Sequence, residues 1–225
     1  MKTSIVKVTM DNIAEHPQAI CYINPKHELF HKKVDWLREQ FANGYMFIHC
    51  LWINGKKHIR QGLGSILIKE VERDAKKNKL GVAVITSDKS FIATREIFLK
   101  NGYSIVSESG KEQLIAKQFK KGSLPYINNW EHELKKYKGL AIIYSKQCPW
   151  VPRFIEEVKP ILKKEKLEPK IFELETAEQA QKGPSIYCIF NLIYDGKLLA
   201  DRYISTTRFL NIVNKEIKPH IQAQN

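Results

Sequence analysis

Residues 47–77 read FIHCLWINGKKHIRQGLGSILIKEVERDAKK and hold three elements in order. Phe47 to Ile53 is an apolar, aromatic run of strand length. Asn54 to Gly64 is a turn-like segment with glycines and the basic residues Lys56, Lys57, His58 and Arg60. From Ser65 to Lys77, Leu67, Val71 and Ala75 recur at every fourth position with charges between them, an amphipathic helix. Strand, glycine turn, helix is a phosphate-binding layout. A helix start leaves backbone N–H groups without partners, and its dipole end is positive. Gly62 and Gly64 lack a Cβ, so the backbone can approach a ligand closely.

Two common phosphate patterns are excluded. A Walker loop ends in Gly-Lys-Ser/Thr, and Gly64-Ser65 has no lysine between; a dinucleotide fingerprint needs a third glycine at Leu67. What remains, Arg60-Gln61-Gly62-Leu63-Gly64-Ser65, resembles the acetyl-CoA diphosphate loop of the GCN5-related N-acetyltransferases (GNAT family), written Arg/Gln-x-x-Gly-x-Gly/Ala. Ile59 stands where that pattern has its basic residue, and Arg60 lies one place later. The other reading is a plain glycine turn between strand and helix.

Beyond the helix, Lys79-Leu80-Gly81 closes the segment and Val82 to Ser87 is a near-continuous apolar strand of the kind found inside a sheet. Phe91 to Asn101 reads as a helix, with Ile105 and Val106 in the strand that follows. The run Ala93 to Tyr103 resembles the second GNAT signature, a helix with an aromatic four before a Gly-Phe or Gly-Tyr end. In many members that aromatic is a tyrosine that protonates the departing CoA thiolate. Here it is Phe98, which has no proton to give.

Ahead of the central stretch, Ser4 to Thr9 is a candidate edge strand, and Asp11 or Asn12 could cap a short helix ending near Pro17. His27 to Phe41 carries Leu29, Phe30, Val34, Leu37 and Phe41 at helical spacing, with Trp36 beside that face. Gly44 then leads straight into Tyr45, leaving no room for the long antiparallel hairpin that the resemblance implies at this place.

Residues 111–137 read as a last sheet strand, a solvated linker containing Lys120, Lys121, Gly122 and Pro125, and a short helix around Trp130 to Tyr137. A second domain starts near Gly139. Leu140 to Tyr144 is a buried-type strand, followed by Gln147-Cys148-Pro149-Trp150 and a helix from Arg153 to Lys166 that Pro160 should kink. Lys170 to Leu174 is a strand; Gly183-Pro184-Ser185 precedes another at Ile186 to Tyr194; Asp195-Gly196 is a hairpin turn into Leu199 to Ile204. Ser205 or Thr206 caps a last helix with Phe209, Leu210 and Val213. This order, with Cys-Pro at the first helix start, resembles a thioredoxin-like fold. The resemblance implies that Pro184 lies beside Cys148 and is usually cis, and it makes the pair a candidate thiol site. Val151 stands where a disulfide oxidoreductase carries its second cysteine, so ordinary disulfide exchange is not expected. Cys148 is either a thiolate with a lowered pKa at a helix start or a small packing residue.

Both halves together resemble the YoaP-type acetyltransferases, on the Gln147-Cys148-Pro149-aromatic run and the Gly-Tyr-Met…Cys-x-Trp strand ending at Trp52. The implied fold class is α/β (α+β): a GNAT mixed sheet with flanking helices over residues 1–122, a linker over 123–138, and a small thioredoxin-like domain over 139–220. The implied reaction is acetyl transfer from acetyl-CoA, as co-substrate and without a metal, to a small-molecule or peptide amine. The loop Ile59, Arg60, Gln61, Gly62, Leu63, Gly64 and Ser65 would hold the diphosphate. The backbone of Leu51, Trp52 and Ile53 would pair with the pantetheine arm. His49, alternating with Cys50 on the central strand, is a candidate base, with a satisfied core or surface histidine as the alternative. A non-catalytic acyl-CoA sensor is the rival from another class.

Composition sets the frame. With 225 residues, 43% hydrophobic and 27% charged, the chain is ordinary globular material, long enough for one large or two small domains. Cys21, Cys50, Cys148 and Cys188 are scattered and form no Cys-x-x-Cys. No apolar run reaches membrane-span length and no signal-peptide core follows Met1, so cytoplasmic is the default expectation. The net charge of +13 favours anionic partners, but the lysines are spread along the chain, as on a solvated surface rather than a nucleic-acid patch.

Overall fold

The computed structural model describes residues 44–48, 51, 60–87, 94–145, 150–187 and 189–224. The strand, the two helices and the missing hairpin expected ahead of Tyr45 lie outside these. The chain divides into two compact units, Met1–Ile127 and Asn128–Asn225.

The first unit is built on a sheet of β1 (Tyr45–Ile48), β2 (Gly81–Ser87), β3 (Ser104–Ser109) and β4 (Glu112–Gln118), in the order β1-β2-β4-β3. Helix α1 (Leu63–Asn78) crosses from β1 to β2, which is why those two strands run parallel; β4 is antiparallel to both of its neighbours. Every residue from Gly81 to Ile85 is buried, so the unbroken apolar run of β2 reflects a strand covered on both faces. Leu67, Ile68, Val71 and Ala75 of α1 pack with Met46, Ile48, Val82, Val84 and Phe98. Gly81 sits under the Tyr45 ring. A Cβ there would lie 2.6 Å from Tyr45 Cε1 and 2.3 Å from the Lys117 carbonyl oxygen, so no side chain fits.

Helix α2 (Arg95–Lys100) begins after Thr94, an N-cap in extended conformation, and not at Phe91 as expected; residues 91–93 lie outside the described ones. It ends in a Schellman motif. Gly102 takes φ +80°, its N–H donates to Leu99 O, and Tyr103 N–H donates to Phe98 O. The hydrophobic contact that goes with this motif is the edge-on pair of Phe98 and Tyr103, with ring centroids 5.5 Å apart.

The second unit opens with a short helix α3 (Glu131–Leu134) and a sheet of β5 (Leu140–Tyr144), β6 (Lys170–Glu173), β7 (Phe190–Tyr194) and β8 (Lys197–Ala200), in the order β6-β5-β7-β8. Helix α4 (Trp150–Lys164) crosses from β5 to β6 and makes them parallel; β7 and β8 close the sheet antiparallel. Asp195 (φ 45°) and Gly196 (φ 76°) form the expected hairpin turn, both in the left-handed region that such a turn demands. The core gathers around Phe154, whose ring meets Phe190, Tyr203 and Phe209 edge-on.

Four expectations shift, the first being the strand after the hairpin, which runs over Lys197–Ala200 and not over Leu199 to Ile204. The strand placed at Ile186 starts at Phe190, because Ser185 Oγ donates to Tyr187 O and accepts from Tyr187 N–H, tying the backbone into a local turn instead of the ladder. A short helix α5 (Ala177–Gln181) lies between β6 and β7, where none is predicted. The last helix is not uniform: α6 (Thr206–Ile212) passes through a π-helical turn at Val213–Ile217 into α7 (Lys218–Gln224). The described backbone, Pro184 included, contains no cis peptide bond, so the cis proline implied by the thioredoxin resemblance is not found.

Candidate functional site

Helix α1 begins two residues before the Ser65 start expected from periodicity. The reason is Gly62. It serves as N-cap with φ 75° and ψ 1°, a left-handed conformation open to glycine, and turns the chain into the helix without a side chain. The first intrahelical bond is Ile66 N–H to Gly62 O at 3.2 Å. The N–H groups of Leu63, Gly64 and Ser65 therefore precede the helical ladder, and no side chain caps them. The first turn has no acidic residue to oppose an anion. Among the described residues, a Cβ built on Gly62 meets nothing within 4 Å, so open space faces the turn on their side. Arg60 and Gln61 are exposed beside it, and Arg60 itself has φ 64°. A positive helix end, uncapped donors, a glycine facing open space and a flanking arginine fit a diphosphate.

Behind this turn runs a polar chain that links three elements. Asn101 Nδ2 donates to Ile97 O at 2.7 Å and to Ser65 Oγ at 2.9 Å. The Asn101 carbonyl accepts from Lys117 Nζ at 2.8 Å. Lys117 also pairs with Glu72 of α1, at 3.0 and 3.2 Å to its two oxygens, and Glu72 is only 6% exposed. Burial first, and the Glu72 charge second, push the Tyr103 hydroxyl well above the usual tyrosine range, so it stays protonated. The sequence reading missed Asn101, Glu72 and Lys117. An Asn-Gly pair at a helix end signals a cap, but nothing in the local pattern names a partner 36 residues away.

Of the expected loop residues, the structure brings Arg60, Gln61, Gly62, Leu63, Gly64 and Ser65 together at the start of α1. Leu51 is buried beside the β1 core. His49, Trp52, Ile53 and Ile59, which include the candidate base and two of the three residues expected to pair with the pantetheine arm, lie outside the described residues. Phe98 is fully buried in the core between α1 and Tyr103. No group of three metal-ligating side chains occurs among the described residues. None of the described helices is long and apolar enough to cross a membrane.

The profile of the YoaP-like family matches residues 170–211. The chain also aligns with the uncharacterized N-acetyltransferase YoaP of Bacillus subtilis (strain 168), at 25% identity over 179 residues, covering 77% of this chain and 71% of that protein. This chain is similar to YoaP. No solved structure matches.

The YoaP-like stretch runs from β6 through α5, β7 and β8 into α6, all in the second unit. It contains Pro184, buried in the turn before β7. Its expected partner Cys148 lies outside the described residues, as does Cys188. Val151, where a second thiol would stand, is fully buried in the first turn of α4. The stretch also contains Asn191, whose amide oxygen and nitrogen are both fully buried without a hydrogen-bond partner among the described residues; Ser145 Oγ, just after β5, is the same.

Proposed function

We propose that the chain is an acetyl-CoA-dependent N-acetyltransferase of the GNAT type, carrying a thioredoxin-like C-terminal domain. The observation that carries this reading is the start of α1: an uncapped helix after a left-handed glycine that opens onto free space, following a strand and beside an arginine. The similarity to the N-acetyltransferase YoaP supports it. So does the first sheet, in which a crossover helix joins two parallel strands and the following hairpin folds back with its second strand inside. For the second unit, a β-α-β crossover followed by an antiparallel hairpin and a closing helix supports a thioredoxin-like arrangement.

In this reading the Leu63, Gly64 and Ser65 N–H groups hold the diphosphate, with Arg60 at the rim, and so fix the position of the thioester. The acceptor is a small-molecule or peptide amine. Its deprotonation belongs to His49 or to water, and Phe98 cannot protonate the thiolate that leaves. The absence of a tyrosine at position 98, where Phe98 stands, favours a second reading, an acyl-CoA-binding sensor that does not turn over.

One experiment separates these readings. The full chain is titrated with CoA by calorimetry, then supplied with acetyl-CoA and a panel of polyamines, amino acids and peptides while thiol release is followed. Binding with amine-dependent thiol release is expected. Binding without release selects the sensor, and absence of CoA binding removes both.

A further inference from the structure

We infer that Asn101 is a positioning residue for the diphosphate turn, acting through the Ser65 hydroxyl; this rests on the acetyl-CoA reading above. The orientation of the Asn101 amide is fixed by chemistry. The Ile97 carbonyl can only accept, so the amide nitrogen must face it, at 2.7 Å. The same nitrogen lies 2.9 Å from Ser65 Oγ and gives it the second N–H. Ser65 is therefore the acceptor in this pair, and the hydroxyl keeps its own proton. No acceptor for that proton occurs among the described residues. Ser65 is the third residue of α1, so the proton sits with the uncapped N–H groups of Leu63, Gly64 and Ser65 as a further donor. The Asn101 bond occupies the acceptor side of the hydroxyl and leaves its proton for an anion.

Asn101 is itself held from both sides. It is the C-cap residue of α2, one position before the left-handed Gly102. Its carbonyl is gripped by Lys117, which the buried Glu72 anchors. The polar chain thus transmits the packing of β4 and α1 to one hydroxyl at the mouth of the turn.

The test is calorimetric CoA binding by the full-length single and double variants, with thermal melting alongside. Ser65→Ala should weaken CoA about tenfold or more, the usual effect of losing one hydrogen bond to a charged group. Asn101→Ala should weaken it severalfold in the wild-type background and have no further effect on the Ser65→Ala chain. Asn101→Asp should be worse than Asn101→Ala, because a carboxylate would take the Ser65 proton and add a negative charge. Ser65→Thr, which keeps the hydroxyl, should bind nearly as wild type. At saturating amine, KM for acetyl-CoA should rise with kcat unchanged. Loss of the α2 cap lowers the melting temperature in both backgrounds, so only the affinity separates positioning from structure. Equal weakening by Asn101→Ala in both backgrounds, or none in either, overturns the inference while leaving the acetyl-CoA reading intact. A wild-type chain that does not bind CoA overturns both.

Discussion

Helices α1 and α6 begin in opposite ways. Helix α6 supplies its own cap: Ser205 Oγ accepts from Arg208 N–H at 3.2 Å, so part of the positive end is satisfied within the chain. Helix α1 starts on a glycine with no side chain, leaves its first N–H groups uncapped and opens onto free space. The backbone problem is the same, and only α6 solves it internally. A helix end that the chain declines to cap is where an outside anion is worth most. The largest expected effect follows from giving α1 a side chain at its N-cap. Gly62→Asp places a carboxylate at the N-cap position, where it repels a diphosphate. CoA affinity should fall on the order of a hundredfold. The fold should survive, because the added Cβ meets nothing within 4 Å and aspartate tolerates the left-handed conformation better than most residues. Calorimetry together with circular dichroism melting checks both halves. Unchanged affinity would mean that the open end is not a ligand site.

The next effect concerns the aromatic four residues before Gly102. In the sequence this position looks catalytic, because the resembling family often has a tyrosine there. In the structure Phe98 is the buried partner of Tyr103 across a Schellman cap. Phe98→Tyr would place a hydroxyl in the apolar cluster of Leu67, Ile68 and Val71, and without a partner that costs about 1–3 kcal/mol. Chemical denaturation should show the loss, and thiol release should not rise. A faster enzyme of unchanged stability would return the position to the chemistry.

A smaller change probes the closed helix. Ser205→Ala removes the cap of α6 and should cost about 1 kcal/mol in denaturant unfolding. CoA affinity should stay as it was. A loss of CoA binding as large as that of Gly62→Asp would erase the distinction between the two helix ends.

What was legible in the sequence was whatever local physics decides. The apolar run of β2, the four-residue spacing of α1, the Asp195-Gly196 hairpin and the Ser205 cap all show in short windows, and the structure has each of them. The open turn at Gly62 was legible too, because glycine spacing carries it. Ser185 shows the opposite case: its hydroxyl bonds to its own neighbour's backbone and delays β7 by four residues against an apolar pattern that reads as strand from Ile186. The chain Ser65–Asn101–Lys117–Glu72 was illegible for another reason. It joins residues far apart in sequence, and each of the four, read alone, is an ordinary surface residue type.

The smallest expected effect tests the second unit's own unsatisfied groups. Asn191 and Ile143 are direct cross-strand partners and so share a face of the sheet, and Ser145 lies two residues beyond Ile143 along the chain. Asn191 and Ser145 are fully buried, and none of their side-chain polar atoms has a partner among the described residues. The first unit's uncapped donors follow Gly62, which is exposed, so water can reach the turn until a ligand arrives. These atoms face protein, where the desolvation cost is not returned. Replacing such a group with an apolar one of similar shape removes a penalty and breaks no bond. Asn191→Leu should therefore leave stability unchanged or raise it by about 1 kcal/mol in denaturant unfolding, with overpacking by the extra methyl volume as the opposing effect. Ser145→Ala, which adds no volume, should behave the same way and isolates the polar contribution. A loss of more than about 1 kcal/mol from Ser145→Ala would show that the hydroxyl is satisfied in solution, by a buried water bridging it to the Asn191 amide. In that case the double variant would lose no more than the worse single, because one water serves both groups.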